Sequence, residues 1–215
     1  QLGPFESWDA LGVSTVLAKM KESGKAIAPW VEEMMAVGNN SFYKIENGSR
    51  LYYDISTKTY KAIPGAENLV VLDNLRAEHT FWKNNDATII DLGDGILNLE
   101  FHSKMNTIGA GTINAINKAI DLAEKEYEGL VLYNTGGNFS AGANVGMIFM
   151  MAVEQEYDEL NFAIKQFQNT MMRVRYSSIP VVVATHQMAL GGGCELSMHA
   201  DKVIAHAETY MGLVE

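Results

Sequence analysis

The sequence predicts an α/β protein, and three observations carry that expectation. From Ala87 onward, short β-branched runs alternate with segments whose apolar residues recur every three or four positions. Several of the strand-like runs lead into loops of glycine and other small residues. The chain before Ala87 is written differently, helical at first and then hairpin-like, which sets it apart as an N-terminal α-helical segment and a connector.

Taken in order, Leu11, Val16, Leu17 and Met20 form one helical stripe that ends at Ser23-Gly24. Ile27, Trp30, Val31, Met34 and Met35 form a second, closed by Gly38-Asn39-Asn40, with Pro29 in its first turn where a missing N–H costs little. Tyr43 and Ile45 before Asn47-Gly48, with Leu51, Tyr52 and Tyr53 after it, give a strong β-hairpin signal. Pro64-Gly65 is a break, and 67–86 reads as connecting chain. Thr88 to Leu92 and Ile96 to Phe101 read as two strands joined through Gly93-Asp94-Gly95. A helix follows with Ile113, Ile116, Ile120 and Ala123 on one face. Gly129 to Tyr133 is a short buried strand, and Leu160, Ile164, Phe167, Met171 and Val174 mark another helix. Ile179 to Ala184 is the next strand, and Asp201 to Ala205 one more after a glycine-led helix. The expected division is therefore 1–44 helical, 45–86 hairpin and connector, and 87–215 α/β.

The bulk properties set limits. Of 215 residues, 47% are hydrophobic and 20% charged, ordinary for a globular chain. No apolar run is long enough for a membrane span. The net charge of -10, from 16 basic and 26 acidic side chains, repels polyanions and argues against a nucleic-acid surface. Cys194 is the only cysteine, so no intrachain disulfide forms and a reducing cytoplasm is the expected setting. Gln1 to Phe5 has no secretory pattern, and the missing initial Met suggests a processed or excised segment.

The segment Ala189-Leu190-Gly191-Gly192-Gly193-Cys194-Glu195 follows a strand and opens a helix. Three glycines without Cβ atoms let a ligand approach the main chain, and the first N–H groups of a helix are free donors at the positive end of its dipole. Such a place can stabilise an oxygen that becomes negative during a reaction. A tight strand-to-helix turn that needs glycine only for packing explains the run equally well. Phe139-Ser140-Ala141-Gly142-Ala143-Asn144 is a second small-residue loop that could supply another N–H, or simply a helix entry capped by Asn144. Glu195 and Glu215 are nearby carboxylates that could serve proton transfer if both face an apolar pocket. Each could equally be a dipole-compensating or solvated acid. Met147 to Met151 could line an acyl pocket or a methionine-rich core. The five histidines show no metal-ligand spacing, Gly109-Ala110-Gly111 is a weak dinucleotide signal, and Cys194 reads as a packing residue.

Together these motifs resemble the crotonase (enoyl-CoA hydratase) superfamily. The Phe139–Asn144 stretch resembles its F-x-A-G-A-D loop, Ala189 to Glu195 its A-L-G-G-G-C-E segment, and Tyr210 to Glu215 its F-G-x-x-E segment. Leu99 to Ile108, with Asn106, resembles an early region that contacts coenzyme A. The resemblance implies a crotonase-like (ClpP/crotonase) β-β-α superhelix, truncated at its C-terminus because the chain stops at Glu215. It implies backbone N–H donors from Ala143 and Gly192 on the thioester oxygen, with Glu195 activating water and Glu215 protonating the α-carbon of a trans-2-enoyl-CoA. Ala141, Gly142 and Lys104 would contact substrate, Lys104 as a phosphate partner. No metal and no covalently bound cofactor is implied, and coenzyme A enters as part of the acyl-CoA substrate. An enoyl-CoA isomerase and a non-catalytic fragment that binds acyl-CoA or a protein partner are the alternatives. Asn144 and Gln187-Met188 depart from the family pattern, where Asp and Asn-Gly are usual.

Leu2 to Glu6 with Trp8 to Gly12 is similar to the C-terminal helical domain of 3-hydroxyacyl-CoA dehydrogenases. Dehydrogenase before hydratase is the order of one class of bacterial bifunctional fatty-acid β-oxidation proteins. That likeness implies NAD only in a dehydrogenase domain absent here, a homo-oligomer, and a thiolase subunit as a candidate partner.

Overall fold

In the computed structural model, which describes residues 2–66 and 69–213, the chain divides into two units, Gln1–Asn74 and Leu75–Glu215. The first carries α1 (Pro4–Leu11), α2 (Val13–Glu22) and α3 (Pro29–Ala36), then an antiparallel sheet of β1 (Tyr43–Glu46), β2 (Ser49–Asp54) and β3 (Thr59–Ala62). Asn47 and Gly48 both take positive φ, 50° and 72°, which matches the twist of a two-residue hairpin turn between β1 and β2. Val13, Leu17, Val31 and Met34 of the helices are buried with Phe42 and Tyr53 in one core. The Asp9 carboxylate accepts hydrogen bonds from the Phe42 and Tyr43 amides at 2.8 and 2.9 Å, joining α1 to the start of β1. The hairpin, expected as part of a connector over 45–86, shares a core with the helices, and the boundary between the two compact units falls after Asn74.

Helix α4 (Leu72–His79) spans the boundary and leads into β4 (Thr80–Lys83) of the second unit, both within chain expected to be irregular. A six-stranded sheet follows in the order β10-β8-β7-β6-β5-β4. Its strands are β5 (Ala87–Gly93), β6 (Ile96–Phe101), β7 (Gly129–Leu132), β8 (Val181–Thr185) and β10 (Lys202–Ala205), with β4 at one edge. Strands β4, β5 and β6 pair antiparallel, whereas β6, β7, β8 and β10 pair parallel. The turn between β5 and β6 again has two positive φ values, at Asp94 and Gly95. Alternate residues of four strands, including Ile89, Leu97, Leu99, Leu130, Leu132, Val181 and Val183, are fully or almost fully buried on one face. Against them lies α5 (Ala110–Glu126), which buries Ala115, Ile116, Ala119, Ile120 and Ala123 at helical spacing. Each large apolar side chain buried there contributes about 1.5–3 kcal/mol.

Three further helices are α6 (Val145–Val153), α7 (Tyr157–Arg175) and α8 (Gly192–His199). Helix α7 meets the core over its C-terminal half, burying Met171 and Val174 with Phe167 packed against the same cluster, while Ile164 of the expected stripe is exposed. Strands β9 (Met188–Leu190) and β11 (Tyr210–Gly212) form a small parallel pair beside the glycine run. Val214 and Glu215 lie outside the described residues.

Candidate active site

Parallel strands deliver their loops to one end of a sheet, and here the loops after β7 and β8 are stitched together by main chain. Ser140 accepts from the Leu190 amide at 3.0 Å and donates to the Met188 carbonyl at 3.0 Å, a short parallel bridge. On its other side the same loop is held by Ile108, which donates to the Gly142 carbonyl at 2.8 Å, and by Ala141, which donates to the Met105 carbonyl. The Ser140 hydroxyl donates to the Asn106 carbonyl at 2.7 Å and accepts from the Gly142 amide. Asn106 in turn donates from its side chain to the Asn138 carbonyl. Three loop segments, around Asn106, Ser140 and Ala189, are thus fixed to each other.

Gly142 and Gly192 meet closely. A Cβ placed on Gly142 would lie 2.7 Å from the Leu190 carbonyl oxygen and 3.0 Å from the Gly192 nitrogen. A Cβ on Gly192 would lie 3.5 Å from the Ala143 nitrogen. Since Cβ stands about 2.5 Å from its own nitrogen, the Ala143 and Gly192 amides are no more than about 6 Å apart. Two donors at about 2.9 Å from one shared oxygen stand about 5.8 Å apart or less, so this ceiling of about 6 Å leaves room for a common acceptor. Neither amide donates a hydrogen bond to another described residue. Gly192 opens α8, so its free N–H is the expected consequence of a helix start.

A cavity of about 790 Å³ opens beside these amides, with Ala143 and Glu195 both in its wall. Helix α6 contributes Met147, Ile148 and Met151, and α7 contributes Leu160, Ala163 and Phe167. Helix α5 supplies a more polar side with Asn114, Asn117, Lys118 and Asp121. Glu195, in the first turn of α8, is half-buried there, and the next turn is closed by His199, whose Nδ1 donates to the Glu195 carbonyl at 2.7 Å. Cys194 is buried, its thiol directed at the Met198 sulfur, and burial, then the Glu195 charge, pushes its pKa up. That keeps it protonated and favours packing over nucleophilic chemistry.

The expected site residues are distributed as follows. Ala143, Gly192, Gly142 and Ala141 are brought together around the two loops, with Glu195 at the same cavity. Lys104 sits in a short 3-10 turn (Lys104–Asn106), exposed and outside the cavity wall; the cation in that wall is Lys118. Glu215 falls outside the described residues. Asn144 caps α6, its side chain accepting from the Met147 amide at 3.2 Å. The weak dinucleotide signal dissolves: Gly109 precedes α5 after a 3-10 turn rather than a strand, and Gly111 packs against the Asp86 carboxylate, where a Cβ would overlap Oδ2 at 1.9 Å. An acid at that helix start opposes a pyrophosphate. No cluster of metal-ligating side chains occurs among the described residues, and no described helix is long and apolar enough to cross a membrane.

Sequence reasoning missed the polar scaffold. Buried Asn134 accepts from the Phe101 amide and donates to the Phe139 carbonyl, both at 2.6 Å, and no local pattern announces that role. Phe167 was legible as part of a helical stripe but not as a wall of the site.

A mixed sheet with helices on its core face and two converging small-residue loops at its strand ends defines a crotonase-type α/β protein. Solved enoyl-CoA hydratases share this fold. One is from Thermoplasma volcanium GSS1 (25% identity, TM-score 0.54, 62% of this chain and 53% of that chain), and another from Bacillus anthracis (23%, TM-score 0.54, 60% and 50%). The chain belongs to the enoyl-CoA hydratase/isomerase family, which matches residues 91–215. Over 216 aligned residues it is 43% identical to a Bacillus subtilis (strain 168) protein described as a probable 3-hydroxyacyl-CoA dehydrogenase, covering 100% of this chain and 27% of the relative. It is 26% identical to a fatty acid oxidation complex subunit alpha of Psychrobacter cryohalolentis, over 62% of this chain and 19% of that protein. The chain thus spans about a quarter, or less, of the length of these curated relatives.

Proposed function

We propose that the second unit is the hydratase part of a bifunctional fatty-acid β-oxidation enzyme, adding water across the double bond of a trans-2-enoyl-CoA to give a 3-hydroxyacyl-CoA. The observation that supports this most is the placement of Glu195 in one cavity wall with Ala143, whose amide is no more than about 6 Å from that of Gly192. In this reading the thioester oxygen sits between the two amides and the acyl chain enters between α6 and α7. Glu195 takes a proton from water as its oxygen bonds to the β-carbon. The electron pair of the double bond shifts toward the thioester, and the enolate charge collects on the oxygen that the amides hold. Glu215 then gives a proton to the α-carbon, and exchange with water resets both acids. Donors fixed beforehand in a dry site lower such a barrier by about 3 kcal/mol each.

Ala141 and Gly142 shape the loop against the substrate, and Lys104, exposed outside the cavity, would meet a coenzyme A phosphate. The N-terminal unit is read as the end of a dehydrogenase domain, which places NAD use elsewhere in the full-length protein. A cytoplasmic homo-oligomer, with a thiolase subunit as partner, completes the proposal.

The test is hydration of crotonyl-CoA by the full-length protein, followed as loss of enoyl absorbance. Glu195→Gln should lower kcat by about 10²–10⁴-fold with binding of a saturated acyl-CoA retained. Interconversion of 3-enoyl and 2-enoyl thioesters without hydration would make it an isomerase. Acyl-CoA binding without any turnover would make it a binding domain.

A further inference from the structure

We propose that Phe167 limits the space beside the substrate's α-carbon, so that the protein discriminates against acyl chains branched there; the proposal rests on the acyl-CoA reading above. A Cβ built on Gly192 would lie 3.0 Å from Cζ of Phe167 and 3.1 Å from Cε2. The ring edge therefore fills the space directly off the Gly192 α-carbon, next to the amide assigned to the thioester oxygen. Phe167 also lines the cavity shared by Ala143 and Glu195.

The ring is held in place. Phe167 packs against the main core cluster, and Met171 and Val174, one and two turns further along α7, are buried in it. The rest of the acyl cavity is different in kind. Met147, Ile148 and Met151 come from α6, a helix with no residue buried, and methionine adapts its shape readily. One rigid aromatic thus stands at the thioester end, with adaptable side chains along the tail.

Distance makes the consequence specific. An oxygen accepting from the Gly192 amide lies about 2.9 Å from that nitrogen, its carbon about 1.2 Å beyond, and the α-carbon about 1.5 Å from there. The α-carbon would then lie within about 5.6 Å of the Gly192 nitrogen, against the wall that Phe167 shares, and in the proposed pose a methyl group added there would meet the ring edge while a linear chain would not. Shape selection by about one methyl group in an apolar wall is typically worth 10–200-fold.

The experiment uses the full-length protein and two pairs of ligands. Turnover is compared for crotonyl-CoA and 2-methylcrotonyl-CoA, and calorimetric Kd for the saturated butyryl-CoA and 2-methylbutyryl-CoA. Phe167→Ala should raise the branched-to-linear ratio of kcat/KM and of affinity by about tenfold or more, and Phe167→Leu should fall between. Thermal melting identifies which variant is folded, and Phe167→Leu carries the test if the alanine variant is not. A shift in the binding ratio in a protein that does not hydrate crotonyl-CoA would uphold Phe167 and sink the hydratase reading. Ratios unchanged within about twofold in a folded variant that still hydrates would overturn the role of Phe167 alone.

Discussion

Gly191 adopts φ 48° and ψ -119°, a backbone state that a side chain would strain, whereas the two residues after it, Gly192 and Gly193, are glycine for reasons of space. At Gly192 the obstacle is the Phe167 ring, the far end of a side chain. At Gly193 it is Ser140: a Cβ would lie 2.8 Å from the Ser140 Cβ and 3.1 Å from its carbonyl oxygen. Ser140 cannot move aside cheaply, since its hydroxyl and main chain make the bonds that join the loops. Gly193→Ala should therefore cost about 1–3 kcal/mol of stability in denaturant titrations. The damage should couple to Ser140: Ser140→Gly, harmful alone, should offset part of the Gly193→Ala cost in the double variant. Strict additivity would show that the close approach is not what demands glycine.

The loops themselves carry few regular hydrogen bonds, and buried side-chain amides substitute for them. Asn134 satisfies the Phe101 N–H and the Phe139 carbonyl at once, so Asn134→Ala leaves both unpaired and should cost about 2–4 kcal/mol. Asn134→Asp is the sharper probe, keeping the acceptor and the shape while setting an oxygen against the Phe139 carbonyl. If the aspartate variant melts with wild type at neutral pH, the loop does not depend on that amide. These ties explain where the sequence was readable. Strands β5 to β8 follow from β-branched alternation and α5 from its spacing, because burial on one face dictates residue type at a fixed period. The third strand of the first sheet, helix α4 and edge strand β4 were not foreseen. Half-exposed edge strands such as β3 and β4 leave a weak apolar period, and α4 was hidden inside mixed chain. The glycine run and the Phe139–Asn144 loop were legible as motifs, but that their amides approach each other follows only from contacts between residues about fifty positions apart.

Over the whole molecule, both units hold carboxylates whose pKa values are depressed in the folded state, so acid should weaken both. In the first unit, Asp54 is held well below its usual range by Lys61, Ser56 and the Thr57 amide, and Glu6 is lowered by the Gly3 amide and Arg50. In the second, burial pushes Glu100 up, but hydrogen bonds from Arg76 and Thr135 outweigh it and the net shift is downward. Glu124 is the clearest case. Its carboxylate is lowered from 4.5 to about 2, chiefly by Arg173, with the Ser178 amide adding to it, and this ties α5 to α7 and to the start of the chain entering β8. For such a group the stabilisation is complete above the unfolded value of 4.5 and is lost as pH falls through the folded one. The melting temperature should then hold steady from neutral pH to about 5 and drop between about 4.5 and 2. Glu124→Gln removes one contributor, so its curve should start lower at neutral pH and converge on the wild-type curve in acid. Parallel curves for the two proteins would mean that Arg173 and Glu124, though within 2.8 Å, do not stabilise the fold through charge.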